Sequence, residues 1–294
     1  LEVTLPIRYI ELASEVTSTL PPLPIAEMGL PVLSPLTKPL SECNVMIVSS
    51  AGVHFRSDPP FQPTNDMTFR RIPQSASPDQ LKPSHPAPVR RPGEADINVV
   101  HPYQRLAELA EEGFIGGVTD FHISCLGAIK KLTDLVTEMA PAMAVAAKAG
   151  GADLVLLVPL CPACHQAVGL MARVLEREGM PTVSMTGARD ITERIRPPRA
   201  AFLNYPLGNS VGAPGDQSGQ RDVLRAALQI AEFVQVPGTI VDLPFLWSEL
   251  GWEAECADLY RREAGTVLSQ RTKSEYDGSV NFAMQECTDI CTLA

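Results

Sequence analysis

Two thiols and an imidazole stand within five residues, Cys161-Pro162-Ala163-Cys164-His165. The apolar run Leu154-Val155-Leu156-Leu157-Val158-Pro159-Leu160 leads into them and an amphipathic stretch follows. Such a run reads as a buried strand, so the motif falls where a strand ends and a helix begins. In an open parallel sheet that edge is where ligands bind, and a helix N-terminus favours a thiolate. The chemistry this spacing predicts is nucleophilic. Cys161 and Cys164 are a reactive thiol pair, Cys164 gains the helix dipole, and His165 serves as base or as a cation beside the thiolate. C-x-x-C-H is also the haem attachment pattern, which a buried strand feeding the motif argues against. Two further readings stand beside the thiol one. Zinc could be held by Cys161 and Cys164, completed by Cys287 and Cys291 or by His54 and His101. Alternatively, the two cysteines are small apolar core residues.

Two more groups carry polar chemistry. In Gly93-Glu94-Ala95-Asp96-Ile97-Asn98-Val99-Val100-His101-Pro102, Asp96 and Asn98 share a side if the segment is extended. With His101 they are candidates to hold a substrate's ammonium group or a metal. The competing reading makes Asn98 and His101 caps of the following helix. The loop Tyr205-Pro206-Leu207-Gly208-Asn209-Ser210-Val211-Gly212-Ala213-Pro214-Gly215-Asp216 lies between a strand and a helix. Gly208 and Asn209 could offer backbone N–H groups to an anion there, or the segment is a plain connection. His54, after Ser49-Ser50-Ala51-Gly52-Val53, falls at another strand's carboxyl end and is a further substrate-contact candidate. His122, alternating with Phe121 and Ile123, reads at least as well as a satisfied core histidine.

The elements that must position these residues follow from periodicity. Strands are expected at Asn44–Ser50, Leu154–Leu160, Pro181–Met185, Ala200–Tyr205 and Thr239–Leu243, with helices at 104–112, 139–149, 164–178, 188–196 and 217–233. Alternation of strands and helices predicts an α/β fold with a mainly parallel, Rossmann-like sheet and flanking helices. Prolines crowd the first 100 residues, with 16 of 27 there, so Pro21–Pro39 and Pro59–Pro92 hold no long helix. The expected organisation is an N-terminal region of residues 1–100, a strand plus a proline-rich excursion packing on the core. The core itself spans 101–252 and carries the C-x-x-C motif, followed by a helical tail at 253–294.

Composition narrows the function classes. With 34 acidic against 24 basic residues the formal charge is -10, and the absence of a basic stretch excludes nucleic acid. No segment is long and apolar enough to span a membrane. Seven unevenly spaced cysteines do not form a secreted disulfide framework, and the amino end shows no signal pattern. A cytoplasmic setting is expected.

Taken together, the segments from Val45 to Trp247 resemble the selenoprotein B family of glycine, sarcosine, betaine and D-proline reductases. The resemblance is carried by Ser49-Ser50-Ala51-Gly52-Val53-His54, Asp96-Ile97-Asn98 with Pro102 and Arg105-Leu106, and Glu111-Glu112-Gly113-Phe114-Ile115-Gly116. It continues in Cys161-Pro162-Ala163-Cys164, Gly179-Met180-Pro181-Thr182-Val183, Pro197-Pro198-Arg199-Ala200 and Pro206-Leu207-Gly208. Membership implies reductive cleavage of a carbon–nitrogen bond in a small amino acid derivative. Cys161 stands at the family's selenocysteine position and Cys164 at the cysteine that follows it. A pyruvoyl-bearing partner subunit is implied as well. The chain departs from the family in having cysteine for selenocysteine, and in the His165-Gln166 that follows the motif.

The expected function is therefore a cysteine-dependent enzyme cleaving a C–N or C–S bond of a small amino-acid-derived or heterocyclic substrate, turned over by an external dithiol. His54, Asp96, Asn98, His101, Gly208 and Asn209 are its expected substrate contacts. No resident cofactor is required, zinc being the one metal the residues suggest. A partner subunit and self-association are both compatible with the chain. The alternatives are a non-redox cysteine- or metal-assisted hydrolase or desulfhydrase acting on a small ring such as a cyclic thioamide, and a metal-binding accessory subunit of a reductase complex.

Overall fold

A computed structural model of the chain describes residues 6–11, 25–248 and 251–258. Cys287, Cys291 and the tail beyond residue 258 lie outside the described residues.

The strands are β1 (Asn44–Ser49), β2 (Val53–Phe55), β3 (Phe69–Pro73), β4 (Leu81–Pro83), β5 (Gly117–Val118), β6 (Phe121–Cys125), β7 (Leu154–Val158), β8 (Thr182–Thr186), β9 (Arg199–Phe202) and β10 (Thr239–Asp242). The longer helices are α1 (Tyr103–Glu111), α2 (Ala140–Ala149), α3 (Pro162–Arg177), α4 (Arg189–Ile195) and α5 (Gln217–Phe233). The main sheet runs β10-β9-β8-β7-β1-β6-β3, with β5 pairing β1. All pairings in it are parallel except that of β3 with β6. The expected α/β architecture with a mainly parallel sheet is what the chain forms. Counting the long parallel strands β1, β6, β7, β8, β9 and β10 in chain order, the arrangement is 2-1-3-4-5-6. That is the flavodoxin-like doubly wound order rather than the dinucleotide-binding 3-2-1-4-5-6, which refines the Rossmann-like expectation.

Strands covered on both faces read as continuous apolar runs because successive residues feed opposite cores. Met46, Val48, Val155 and Leu157 pack with α2, α3 and α4 on one face. Val45, Ile47, Leu154 and Leu156 pack with α1 and α5 on the other. From β1 the chain moves to β6 on one side, and from β7 it moves to β8 on the other. The carboxyl ends of the neighbours β1 and β7 therefore form the topological switch point, where a crevice opens in such sheets.

The proline-rich excursion is ordered by backbone pairing, not by helix. β2 and β4 form an antiparallel ribbon, with His54 opposite Lys82. The ribbon continues past Pro83, since Ser84 N–H donates to Gly52 O (3.0 Å) and His85 N–H to Ala51 O (3.2 Å). Gly52, at φ +66°, supplies the turn out of β1 that a Cβ would strain. Residues 84–92 then cross the carboxyl edge as a strap. Its Val89 carbonyl presses so closely on Gly208 that a side chain there would collide.

Candidate active site

β7 delivers Cys161 to the position before the first turn of α3, where it acts as N-cap. Its Sγ accepts from Cys164 N–H at 3.4 Å, the role usually taken by a serine or aspartate oxygen. Pro162 fits the first helical position because its missing N–H would have had no helical partner. One turn of helix sets the two sulfurs 3.3 Å apart. Cys161 keeps 6% exposure and Cys164 none, so Cys161 is the residue nearer to anything that enters.

Three further segments close around Cys164. The end of β1 brings the Ser50 carbonyl to 3.8 Å of its Sγ. The loop after β6 brings Gly127, where a Cβ would lie 2.6 Å from that sulfur and 2.8 Å from Ser50 Cβ; only glycine leaves room. The strap brings His85, whose Nε2 lies 3.3 Å from Cys164 Sγ. Its Nδ1 accepts the Ala87 N–H at 3.1 Å, so the ring proton sits on Nε2 and points at the sulfur. Burial raises the Cys164 thiol, but the hydrogen bond from Cys161 and the influence of His85 outweigh it and leave the group well below its usual value. Cys161 is pushed up, first by donating to Cys164 and then by burial.

His165, expected beside the thiolate, spends both ring nitrogens on backbone instead. Gly187 N–H donates to Nε2 (3.0 Å), so Nδ1 carries the proton and donates to Cys161 O (2.7 Å). Burial lowers its pKa to about 4, leaving a neutral ring that ties the β7–α3 turn to the β8–α4 turn.

The other expected contacts are spread more widely. His54 donates from Nδ1 to Phe55 O (2.7 Å), and its buried Nε2 has no partner. His101 is fully buried, packs on His122 and Tyr103, and has neither ring nitrogen paired. His122 is the satisfied core histidine, accepting from Ile47 N–H and pairing with Gln74. Asp96 accepts from Asn98 N–H, Asn98 Nδ2, Gly215 N–H and Gln220 Nε2. It thus ties the glycine-rich loop to the start of α5, while Asn98 Oδ1 accepts the Gln104 N–H of α1. Gly208 and Asn209 line a small crevice with His165, Gly187 and Tyr205. Asn209 Oδ1 is buried there without a partner.

Among the described residues, the metal-capable grouping is His85, Cys161 and Cys164, with ligating atoms within 4.8 Å of one another. His54 and His101, expected as metal ligands, are not part of it. A metal-bound histidine normally donates its second ring N–H to an acceptor. His85 Nδ1 instead faces an N–H donor, so Nε2 has no lone pair to give. The donor set therefore does not suit zinc.

His85 was missed in the sequence because it lies in Pro83-Ser84-His85-Pro86, far from the motif and in no periodic element. A lone imidazole between prolines was its only signal. Gly127 had none.

Fold and site together define an α/β protein that carries a vicinal thiol pair at the ligand-binding edge of a doubly wound sheet. The chain is 31% identical over 217 residues to D-proline reductase subunit gamma of Acetoanaerobium sticklandii, a match covering 73% of this chain and 89% of that protein. It is 23% identical to the glycine reductase complex component B subunit gamma of Carboxydothermus hydrogenoformans, over 67% of this chain and 47% of the relative. It is 24% identical to the sarcosine reductase complex component B subunit beta of Peptoclostridium acidaminophilum, over 71% and 49%. The chain belongs to the family of B-type subunits of the D-proline, glycine, betaine and sarcosine reductases. It spans most of the D-proline relative but only about half the length of the glycine and sarcosine ones. No protein-family model matches the chain, and no solved structure does. Among the described residues no helix is long and apolar enough to cross a membrane.

Proposed function

We propose that this chain is the thiol-bearing subunit of a reductase complex that cleaves a carbon–heteroatom bond of a small amino-acid-derived substrate. The observation that carries this reading is the sulfur pair. Cys161 and Cys164 lie 3.3 Å apart at the start of α3, on the switch-point edge, in a chain of reductase lineage. Cys161, the more exposed residue of the pair, attacks the substrate carbon. Cys164 then displaces the carbon from Cys161, forming the disulfide, and an external dithiol restores both thiols. The separation already approaches contact, so the disulfide forms with little movement of α3. A partner subunit, as in the multi-component relatives, presents the substrate. Zinc has no part in this scheme.

The test is turnover with dithiol on D-proline and related amines, with the chain alone and with a partner subunit supplied. Cys161→Ser abolishes activity, because a hydroxyl is a far weaker nucleophile than a thiolate near neutral pH. Cys164→Ser permits at most a single turnover per site and leaves an adduct on Cys161, detectable by mass. Repeated turnover by the unaltered protein without any reductant rejects the reductive scheme.

A further inference from the structure

The strap that covers the thiol pair also carries a proton donor to it. His85 reaches Cys164 because the β2–β4 ribbon runs on past Pro83, and because Val89 seats on Gly208 across the carboxyl edge. The Ala87 N–H fixes which ring nitrogen is protonated. Cys164 Sγ therefore faces two donors at 3.3 Å, the Cys161 thiol and His85 Nε2–H, against one acceptor at 3.8 Å, the Ser50 carbonyl. A sulfur with two near donors is the better seat for a negative charge. Cys161 receives neutral backbone N–H groups, from Cys164 at 3.4 Å and from Ala163.

We propose that His85, rather than His165, is the histidine of the thiol site. It holds the resting charge of the pair on Cys164, and Cys164 is the base that takes the Cys161 proton as Cys161 attacks. This rests on the nucleophilic reading of Cys161 given above. The Cys161 S–H proton passes to the Cys164 thiolate while the sulfur's electron pair forms the S–C bond. The C–X bond breaks and X leaves with its electron pair, taking the proton now on Cys164. The restored Cys164 thiolate attacks the Cys161 sulfur, and the S–C electron pair departs with carbon, which takes a proton from water. The substrate carbon is reduced, the thiol pair is oxidised to the disulfide, and the external dithiol reverses that oxidation.

Charge placement can be read without substrate, from ultraviolet thiolate absorbance against pH. The background has Cys256, Cys287 and Cys291 changed to serine. Burial raises Cys43 to about 11 and Cys125 higher still, so both stay silent near neutrality. At slightly acid pH the background protein shows about one thiolate per chain, well below the ordinary thiol range. Cys161→Ser keeps that thiolate, because a serine hydroxyl still donates; Cys164→Ser loses it. His85→Leu lowers it at least about tenfold at the same pH, which from a nearly full thiolate takes a rise of about two pKa units. His85→Gln, which retains an N–H donor, restores much of it and controls for misfolding. The inference is overturned if His85→Leu leaves the thiolate unchanged, or if Cys161→Ser removes it while Cys164→Ser does not. Stoichiometric zinc that His85→Leu releases also overturns it, because Nε2 would then be a ligand. If the thiolate follows His85 but Cys161→Ser remains active, the nucleophile reading fails and the charge assignment stands.

Discussion

Two buried polar clusters occupy opposite ends of the sheet, and their difference lies in whether their protons are fixed or shared. At the amino end, Glu176 accepts from Ser34 N–H, from the N–H and hydroxyl of Thr182, and from Arg199. Arg199 also donates to the Ser34 and Ala231 carbonyls. Both side chains of this ion pair are essentially inaccessible. At the carboxyl end, Cys161, Cys164 and His85 form a short line in which protons are shared rather than locked. The first cluster joins α3, β8, β9 and the segment around Ser34. The second keeps a thiolate available. A buried charge held by fixed donors gives rigidity, whereas a proton shared between soft, titratable atoms gives reactivity.

The largest effect that would sharpen this contrast is at Arg199. Arg199→Met strands the Glu176 carboxylate and costs about 3–5 kcal/mol of stability, read by urea denaturation. The thiolate signal of the folded fraction stays as it was. A comparable loss of thiolate per folded molecule would merge the two clusters into one unit.

Gly127→Ala is the intermediate case. The added methyl meets Cys164 Sγ and Ser50 Cβ, an overpacking cost of about 1–3 kcal/mol. Unlike the Arg199 change, it also shifts the thiol titration, because the displaced sulfur is the one His85 addresses. Stability loss with an unmoved titration would show that the site tolerates displacement.

The smallest effect is a pH dependence at Asp96, a third polar group, which braces the glycine-rich loop. Burial raises its carboxyl, but the hydrogen bonds from Gln220, Gly215 and Asn98 outweigh burial and hold it below its usual 3.8. A depressed carboxyl adds stability that is present above the unfolded value and lost as pH falls through the folded one. Asp96→Asn therefore costs about 1–3 kcal/mol at neutral pH, and the deficit narrows as acid protonates the unaltered protein. Glu176 has the opposite sign. Burial, only partly offset by Arg199, raises its carboxyl above 4.5, so its contribution is full below the unfolded value and falls as pH rises through the folded one. Parallel urea titrations of the two forms across acid pH check the narrowing; a constant deficit would mean that Asp96 acts through shape alone.

Much of the scaffold was legible in the sequence. The Gln217–Phe233 helix has the expected bounds, β1, β7, β8 and β10 fall within two residues of their expected limits, and β9 ends three residues short of the expected Tyr205. α3 begins at Pro162, two residues before the expected Cys164, because Cys161 itself caps it. β2, β3, β4, β5 and β6 were not foreseen, and the segment of β2 was read as part of a turn. Each is short, and β3 and β4 contain proline, so their pairing depends on neighbours rather than on local pattern. Of the site, the thiol pair was legible because its two members are one helical turn apart. His165 was misplaced for the same reason: nearness in sequence put it beside the sulfur, but the helix turns its ring toward Gly187.

What the sequence by itself determined is the alternating α/β pattern, the strand that presents Cys161, and the family. These rest on periodicity and adjacent residues, which are local properties. Only the tertiary structure decided which histidine meets the thiols. His85 is brought from 79 positions away by a ribbon, a strap and the close approach at Gly208. Such a contact is selected by the packing of the whole carboxyl edge, and no local preference of a proline-flanked segment encodes it.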